Sequence, residues 1–188
     1  DADVTRLRSY AHAEGVDHVS VRMLVDRVFQ EASQGRLMYC SIPEVDEAKY
    51  DMSKESMCAV MAMLERKGLL HVCNNTAASV TVAFLTDQMH TLPKICRVVA
   101  SIVKVGTRNN GQWTFDPCRV ANDSGEDLMS VYRTLRMYKT KKILRVDYSK
   151  ERALACLVTR KAGSALIEDE AREISNRLAE LENRKVAR

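Results

Sequence analysis

The sequence of 188 residues is short of glycine (7), proline (3) and aromatic side chains (5%). Sandwiches and barrels draw on frequent turn residues and strand-filling aromatics, so this shortage favours a helix-rich fold. No apolar run approaches the roughly 18 residues that a membrane helix needs, and no secretory leader opens the chain. Charge of one sign is lacking too. Lys and Arg number 29 against 25 Asp and Glu, a net of +4, so any surface for a polyanion must be local. Paired cysteine motifs are missing: Cys40, Cys58, Cys73, Cys96, Cys118 and Cys156 are scattered, with no CxxC or CxC. Structural zinc uses closely spaced ligand pairs, so these residues read as free, mostly buried thiols of a reducing compartment. His12 and His18 stand six apart, and His71 and His90 stand alone. The GxxxxGK[ST] phosphate loop, the GxSxG elbow and the HExxH zinc motif are absent. The acids Glu44, Asp46, Glu47 and Asp51 read as a solvated loop. Cys40 or Cys118 would need a neighbouring His and an electropositive pocket to act as a nucleophile, and the sequence displays neither. No catalytic residue and no metal ligand is therefore expected in this segment.

What remains is ordinary globular material, 46% hydrophobic and 29% charged. The first residues are Asp1-Ala2-Asp3, without Met, which reads as a piece of a longer protein. Two halves show the same order of elements. In the first, a helix is expected near Asp3–Glu14, closed by Gly15. Asp17 then caps a helix whose face is Val21, Leu24, Val25 and Val28. Gly35 ends that region and Leu37–Ile42 reads as a strand. Ser53 caps a helix striped by Met57, Val60, Met61 and Leu64, and Gly68 stands where a left-handed residue closes it, followed by Leu69. Leu70–Cys73 and Val80–Phe84 read as a hairpin joined through Asn74–Ala78.

In the second half Pro93 opens a helix with Ile95, Val98, Val99 and Ile102 as its buried face, ended by Gly106. Trp113–Phe115 is a strand, Cys118–Ala121 one or two helical turns, and Asn122–Gly125 a turn. Leu128, Val131, Leu135 and Tyr138 mark a further helix. Ile143–Asp147 and Ala153–Val158 read as a second hairpin with its tip near Ser149–Arg152. Helix, turn, helix and hairpin is the order of a winged helix. The expected fold is thus mainly α (α+β): two winged-helix units in tandem with small β-hairpin wings, over residues 1–86 and 87–163. A long amphipathic helix follows over 164–188, where Ile167, Ala171, Ile174, Leu178 and Leu181 form a narrow seam expected to pack back on the second unit. A coiled-coil contact is the other reading of that seam.

Charge is placed unevenly. Between Val131 and Lys161 stand Arg133, Arg136, Lys139, Lys141, Lys142, Arg145, Lys150, Arg152, Arg160 and Lys161, against Asp147 and Glu151 alone. Arg133 and Arg136 are one helical turn apart. Lys94, Arg97, Lys104 and Arg108 add to the same half without an acid between Lys94 and Phe115. Candidate DNA-binding residues are Arg133, Arg136, Lys139, Lys141, Lys142, Arg145, Lys150, Arg152, Lys104 and Arg108, on the helix and wing that helix-turn-helix proteins lay against DNA. Phosphate contacts position without reading sequence, so such DNA would be held without sequence specificity. The alternative is a solvated basic face, helped at Lys139–Lys142 by the helix dipole.

The stretch Asp3–Phe29, DVTRLRSYAHAEGVDHVSVRMLVDRVF, resembles the segment just after the motor core in RecQ-family DNA helicases of the Rothmund–Thomson type. The matching positions are Asp3, Leu7, Arg8, His12, Ala13, Asp17, Val21, Leu24, Val25, Arg27, Val28 and Phe29. Ile42-Pro43, Trp113–Asp116 and Leu128–Leu135 are similar as well, and the strands near Ile143–Tyr148 follow in order. The resemblance implies an accessory region of an ATP-dependent 3′–5′ helicase that grips forked or duplex DNA. It also implies nuclear work in replication and repair, with replication or repair proteins as further partners and no membrane. ATP and magnesium would serve the parent's motor, whose motifs are absent from this sequence. Against this stands a protein–protein scaffold of tandem winged helices with no nucleic-acid contact.

The family's better-known members carry zinc in this region, fed by a Cys-rich insertion soon after the Val-Phe pair. Here Val28-Phe29 is followed by Gln30-Glu31-Ala32-Ser33-Gln34-Gly35, without a Cys. Zinc is therefore expected to be absent. Elemental analysis of the purified protein should find it substoichiometric, and one full equivalent would overturn the expectation.

Overall fold

A computed structural model describes residues 16–31, 39–44, 47–160 and 162–186. The expected helix near Asp3–Glu14 with its closing Gly15, the helix-ending Gly35, Asp46, Lys161 and the C-terminal Arg188 lie outside the described residues. Helix α1 spans His18–Glu31. Asp17 starts it by accepting the Ser20 amide at 2.6 Å, and these Ser20 bonds hold its carboxyl below the usual range. Strand β1 is Tyr39–Pro43, followed by the single turn α2 (Glu47–Tyr50). Helix α3 runs over Lys54–Arg66, with Ser53 as N-cap and Met57, Val60, Met61 and Leu64 buried along one stripe, as their spacing requires. At its end Gly68 adopts φ +67°. The Leu69 amide reaches the Leu64 carbonyl and the Gly68 amide reaches Glu65, the paired bonds of a Schellman closure.

Strands β2 (Leu70–Ala77) and β3 (Val80–Phe84) come next. A 3-10 turn (Asp87–His90) leads to α4 (Leu92–Ile95) and α5 (Arg97–Val105). The single helix expected from Pro93 is broken here. Cys96 is extended (φ −129°, ψ 112°), and the change of phase leaves Ile95 81% exposed while Leu92, Val98, Val99 and Ile102 are buried. A side chain at Gly106 would meet the Ile102 carbonyl at 2.6 Å, which explains glycine at the end of α5. Strands β4 (Thr107–Asn109) and β5 (Gln112–Phe115) form a hairpin across Asn110-Gly111. Both of those residues have positive φ, the geometry of a tight two-residue turn. Helix α6 (Pro117–Ser124) absorbs most of the expected turn at Asn122–Gly125, leaving Gly125 as its left-handed closure. Helix α7 is Leu128–Thr140, β6 is Leu144–Tyr148, β7 is Arg152–Val158 and α8 is Ser164–Val186.

The class is mixed α+β with small antiparallel sheets, but neither expected hairpin forms. β2 does not pair with β3, nor β6 with β7. One sheet has the order β1-β7-β2 and the other β4-β5-β3-β6. The pairing follows one line: Leu70 faces Val158, Ala77 faces Arg152, Val80 faces Tyr148 and Phe84 faces Leu144. Residues 70–84 and 144–158 are thus two arms of one antiparallel ribbon. Across its bend the Ala78 amide donates to the Glu151 carbonyl at 2.9 Å, and the Ser149 amide to the Ser79 carbonyl at 3.0 Å. The segments assigned to hairpin tips, Asn74–Ala78 and Ser149–Arg152, contain no residue of positive φ, and a two-residue hairpin turn needs at least one. Asn74 to Ala77 instead continue as strand.

Two cores result. One gathers Val21, Leu24 and Val28 of α1, Val60 and Leu64 of α3, and Cys156 and Val158 of β7. Ile167, Ala171, Ile174 and Leu178 of α8 complete it, so the last helix packs on the first core and not on the second unit. Lys67 bridging Glu170 and Glu173, and Glu168 meeting His18 and Arg22, fasten it there; Leu181 stays 42% exposed. The second core collects Val80, Val82, Ile102, Trp113, Phe115, Val131, Leu135, Leu144 and Val146. Trp113 is 4% exposed and fills this core, edge-on to Phe84.

A side-chain clamp ties α6 to the edge strand β1. The Asn122 amide nitrogen donates to the Tyr39 carbonyl, and its oxygen accepts the Tyr39 amide, both at 2.8 Å. Loss of the clamp strands two half-buried backbone groups. Asn122→Ala should therefore cost about 2 kcal/mol in urea unfolding. A change under about 0.5 kcal/mol would mean that the clamp contributes nothing to stability.

Candidate nucleic-acid interface

Helix α7 buries Leu128, Val131 and Leu135 and turns its remaining faces outward. Its start is set by Asp127, which accepts the Ser130 amide at 2.9 Å; bonds from Ser130 hold that carboxyl below its ordinary value, with the nearby Arg133 charge a lesser cause. Tyr132, Arg133, Arg136 and Lys139 emerge on a side that looks along the ribbon bend. There they meet Thr76 and Ala77 at the end of β2, Tyr148 at the end of β6 and Arg152 at the start of β7. Together with Met129 these residues line a groove of about 580 Å³, within the range of ligand clefts.

Two tyrosines form an aromatic wall. The rings of Tyr132 and Tyr148 stack with centroids 6.1 Å apart at 30°. Burial pushes the Tyr132 phenol up to about 12. Tyr148, by contrast, is 43% exposed and lines the groove. Burial raises its phenol, and the Arg136 charge opposes that rise. The Lys139 ammonium lies 5.8 Å from the Tyr148 centroid and donates to the Val146 carbonyl at 2.9 Å, so this cation is fixed in place.

The sequence candidates separate on this map. Arg133, Arg136, Lys139 and Arg152 share the groove. Lys141 and Lys142 sit at the C-terminal end of α7, exposed, and Lys150 is exposed in the bend. Arg145 lies on β6 and pairs with Asp147 at 3.1 Å. Lys104 and Arg108 are elsewhere. Lys104 is bound by Asp123 of α6, and Arg108 covers the Trp113 ring at 5.0 Å on β4, the sheet edge opposite β6. Among the described residues no carboxylate lies within ion-pair distance of Arg133, Arg136, Lys139, Lys141, Lys142 or Lys150. Sequence reasoning missed Tyr132, Met129, Thr76 and Ala77. Tyr132 had a signal, an aromatic four residues before Arg136 on one helix; Thr76 and Ala77 had none, since only the pairing with β7 brings them there.

Lys142 is conformationally out of place. The Ile143 amide reaches the Tyr138 carbonyl and the Lys142 amide reaches Lys139, so α7 ends in the same Schellman closure as α3. At the position that Gly68 fills in the first unit, Lys142 holds φ +53°. A left-handed lysine costs about 1 kcal/mol or more relative to glycine.

Among the described residues no three His, Cys, Asp or Glu side chains gather in a metal-holding group. Cys40 and Cys156 face each other across β1 and β7 as buried free thiols, and the Cys40 contact, followed by burial, keeps the Cys156 thiol well above its usual value. No helix among the described residues is long and apolar enough to cross a membrane.

A small mixed-class module with a cation-rimmed aromatic groove is thus the kind of protein defined. No family model matches the chain. It is similar to ATP-dependent DNA helicase Q-like 5 of Arabidopsis thaliana, 28% identical over 138 residues. That match covers 70% of this chain and 15% of the plant protein, so the chain corresponds to a small part of that relative. The likeness relates the chain to the RecQ-type DNA helicases, without specifying a subtype.

Replacing Lys142 by Gly should relieve the strained closure. Urea unfolding of Lys142→Gly is expected to show a gain of about 1 kcal/mol. An unchanged or lowered midpoint would mean that the left-handed turn is not strained.

Proposed function

We propose that this chain is a DNA-binding accessory region of an ATP-dependent 3′–5′ RecQ-type helicase of the Rothmund–Thomson type, holding forked or duplex DNA without sequence specificity. Each unit is read as a winged helix whose third strand arrives from a distant part of the chain. The observation that carries the proposal is the gathering of Arg133, Arg136, Lys139 and Arg152 around one groove, with Lys141 and Lys142 exposed at the end of the same helix. Cations held on one face displace the counterions condensed on DNA, and the released ions supply the binding free energy. In the parent protein ATP and magnesium belong to a motor outside this segment, and the work is nuclear, in replication and repair. The strained Lys142 supports the reading, since the position keeps a positive charge where glycine would be more stable.

A second reading, a protein–protein scaffold, draws on Val19 and Met23, exposed one turn apart on α1. The two readings part on the basic groove. The triple variant Arg133→Ala, Arg136→Ala, Lys139→Ala should weaken binding to forked DNA and make the dependence of log affinity on log salt shallower by roughly 2 to 3. Unaltered affinity and slope would defeat the DNA reading of this surface.

A further inference from the structure

The groove carries more than charge, and its aromatic wall has a consequence for which form of DNA fits. Resting on the DNA-binding proposal, we infer that the groove receives an unpaired nucleotide of single-stranded DNA, its base against Tyr148 and its flanking phosphates held by Arg133, Arg136 and Arg152.

Duplex phosphates need only the cations; a half-exposed ring beside them offers nothing to a base already covered on both faces within a stack. An unpaired base has a free face, and aromatic side chains flanked by basic ones are how single strands are held. Tyr148 has the required geometry. It is 43% exposed, lines the groove and is stacked on Tyr132 at 6.1 Å. The Lys139 ammonium, anchored on the Val146 carbonyl, faces the same space. The groove is also large enough: about 580 Å³ lies well inside the size of clefts that bury a small ligand. It sits where the ribbon bends, between Ala77 and Val80 on one arm and Tyr148 and Arg152 on the other, so both arms contribute to its walls.

The test compares the whole chain and its variants on two probes, a thymidine-rich single-stranded oligonucleotide and a blunt duplex of equal length. Tyr148→Leu keeps an apolar side chain without an aromatic face. It is expected to weaken the single strand about tenfold while changing the duplex less than about twofold. Tyr148→Trp should keep or raise single-strand affinity, and it guards against a loss due to misfolding. A fluorescent adenine analogue placed within the single strand should be quenched by wild type and Tyr148→Trp but not by Tyr148→Leu. Equal losses on both probes, or none on the single strand, would overturn this inference and leave the DNA-binding proposal standing. Failure of wild type to bind either probe would remove both.

Discussion

The antiparallel ribbon made by residues 70–84 and 144–158 is the contact on which the rest of the molecule depends. Its arms lie far apart in sequence, and everything between them, from α4 to α7, is built inside the loop that it closes. One end of the ribbon completes the sheet under α1, α3 and α8; the other completes the sheet under α5, α6 and α7. The two cores are therefore not beads on a string. β7 is the middle strand of the first sheet although it follows the whole second core in sequence. Such non-local pairing closes a large loop at an entropic cost before any contact forms. The burial of Val80, Val82, Leu144 and Val146 on one side, and of Ala155, Cys156 and Val158 on the other, offsets that cost.

The groove is a by-product of the bend. Where the ladder passes from Ala77–Arg152 to Val80–Tyr148, its register shifts by one residue, and there Thr76, Ala77, Tyr148 and Arg152 face the side of α7. Tyr148 is delivered there by β6 and Arg152 by β7, while Arg133, Arg136 and Lys139 come from one helix. Like charges brought this close repel, and among the described residues no carboxylate stands within ion-pair distance of Arg133, Arg136 or Lys139. The contrast with Lys104 and Arg108 is instructive. Those two are neutralised by Asp123 or laid on Trp113, which marks them as parts of the fold. Lys142 belongs with the first group. It bears a backbone penalty at a place where Gly68 of the other unit bears none.

Local features were legible in the sequence because their causes are local. Asp17, Ser53 and Gly68 act on residues within five positions, so their capping roles and the stripe of Met57, Val60, Met61 and Leu64 stood as read. Asn110-Gly111 was equally local and was overlooked, though it supports the β4–β5 hairpin with two positive φ angles. The break at Cys96 was harder to see. Nothing in the spacing of Ile95, Val98 and Ile102 announces it, and it alone turns Ile95 outward. α8 showed its apolar seam plainly, but a seam does not name the surface that covers it, and that surface proved to be the first core.

By itself the sequence determined the class, most helices and caps and the uneven placement of positive charge, because each follows from spacing and side-chain type along a few turns of chain. Only the tertiary structure decided which strands pair, and so which of the cations meet. Strand pairing is set by the joint burial of faces supplied from both ends of the chain, and a strand's sequence is compatible with several partners of like pattern. That choice sent Lys104 and Arg108 away and brought Tyr148, Thr76, Ala77 and Arg152 to α7.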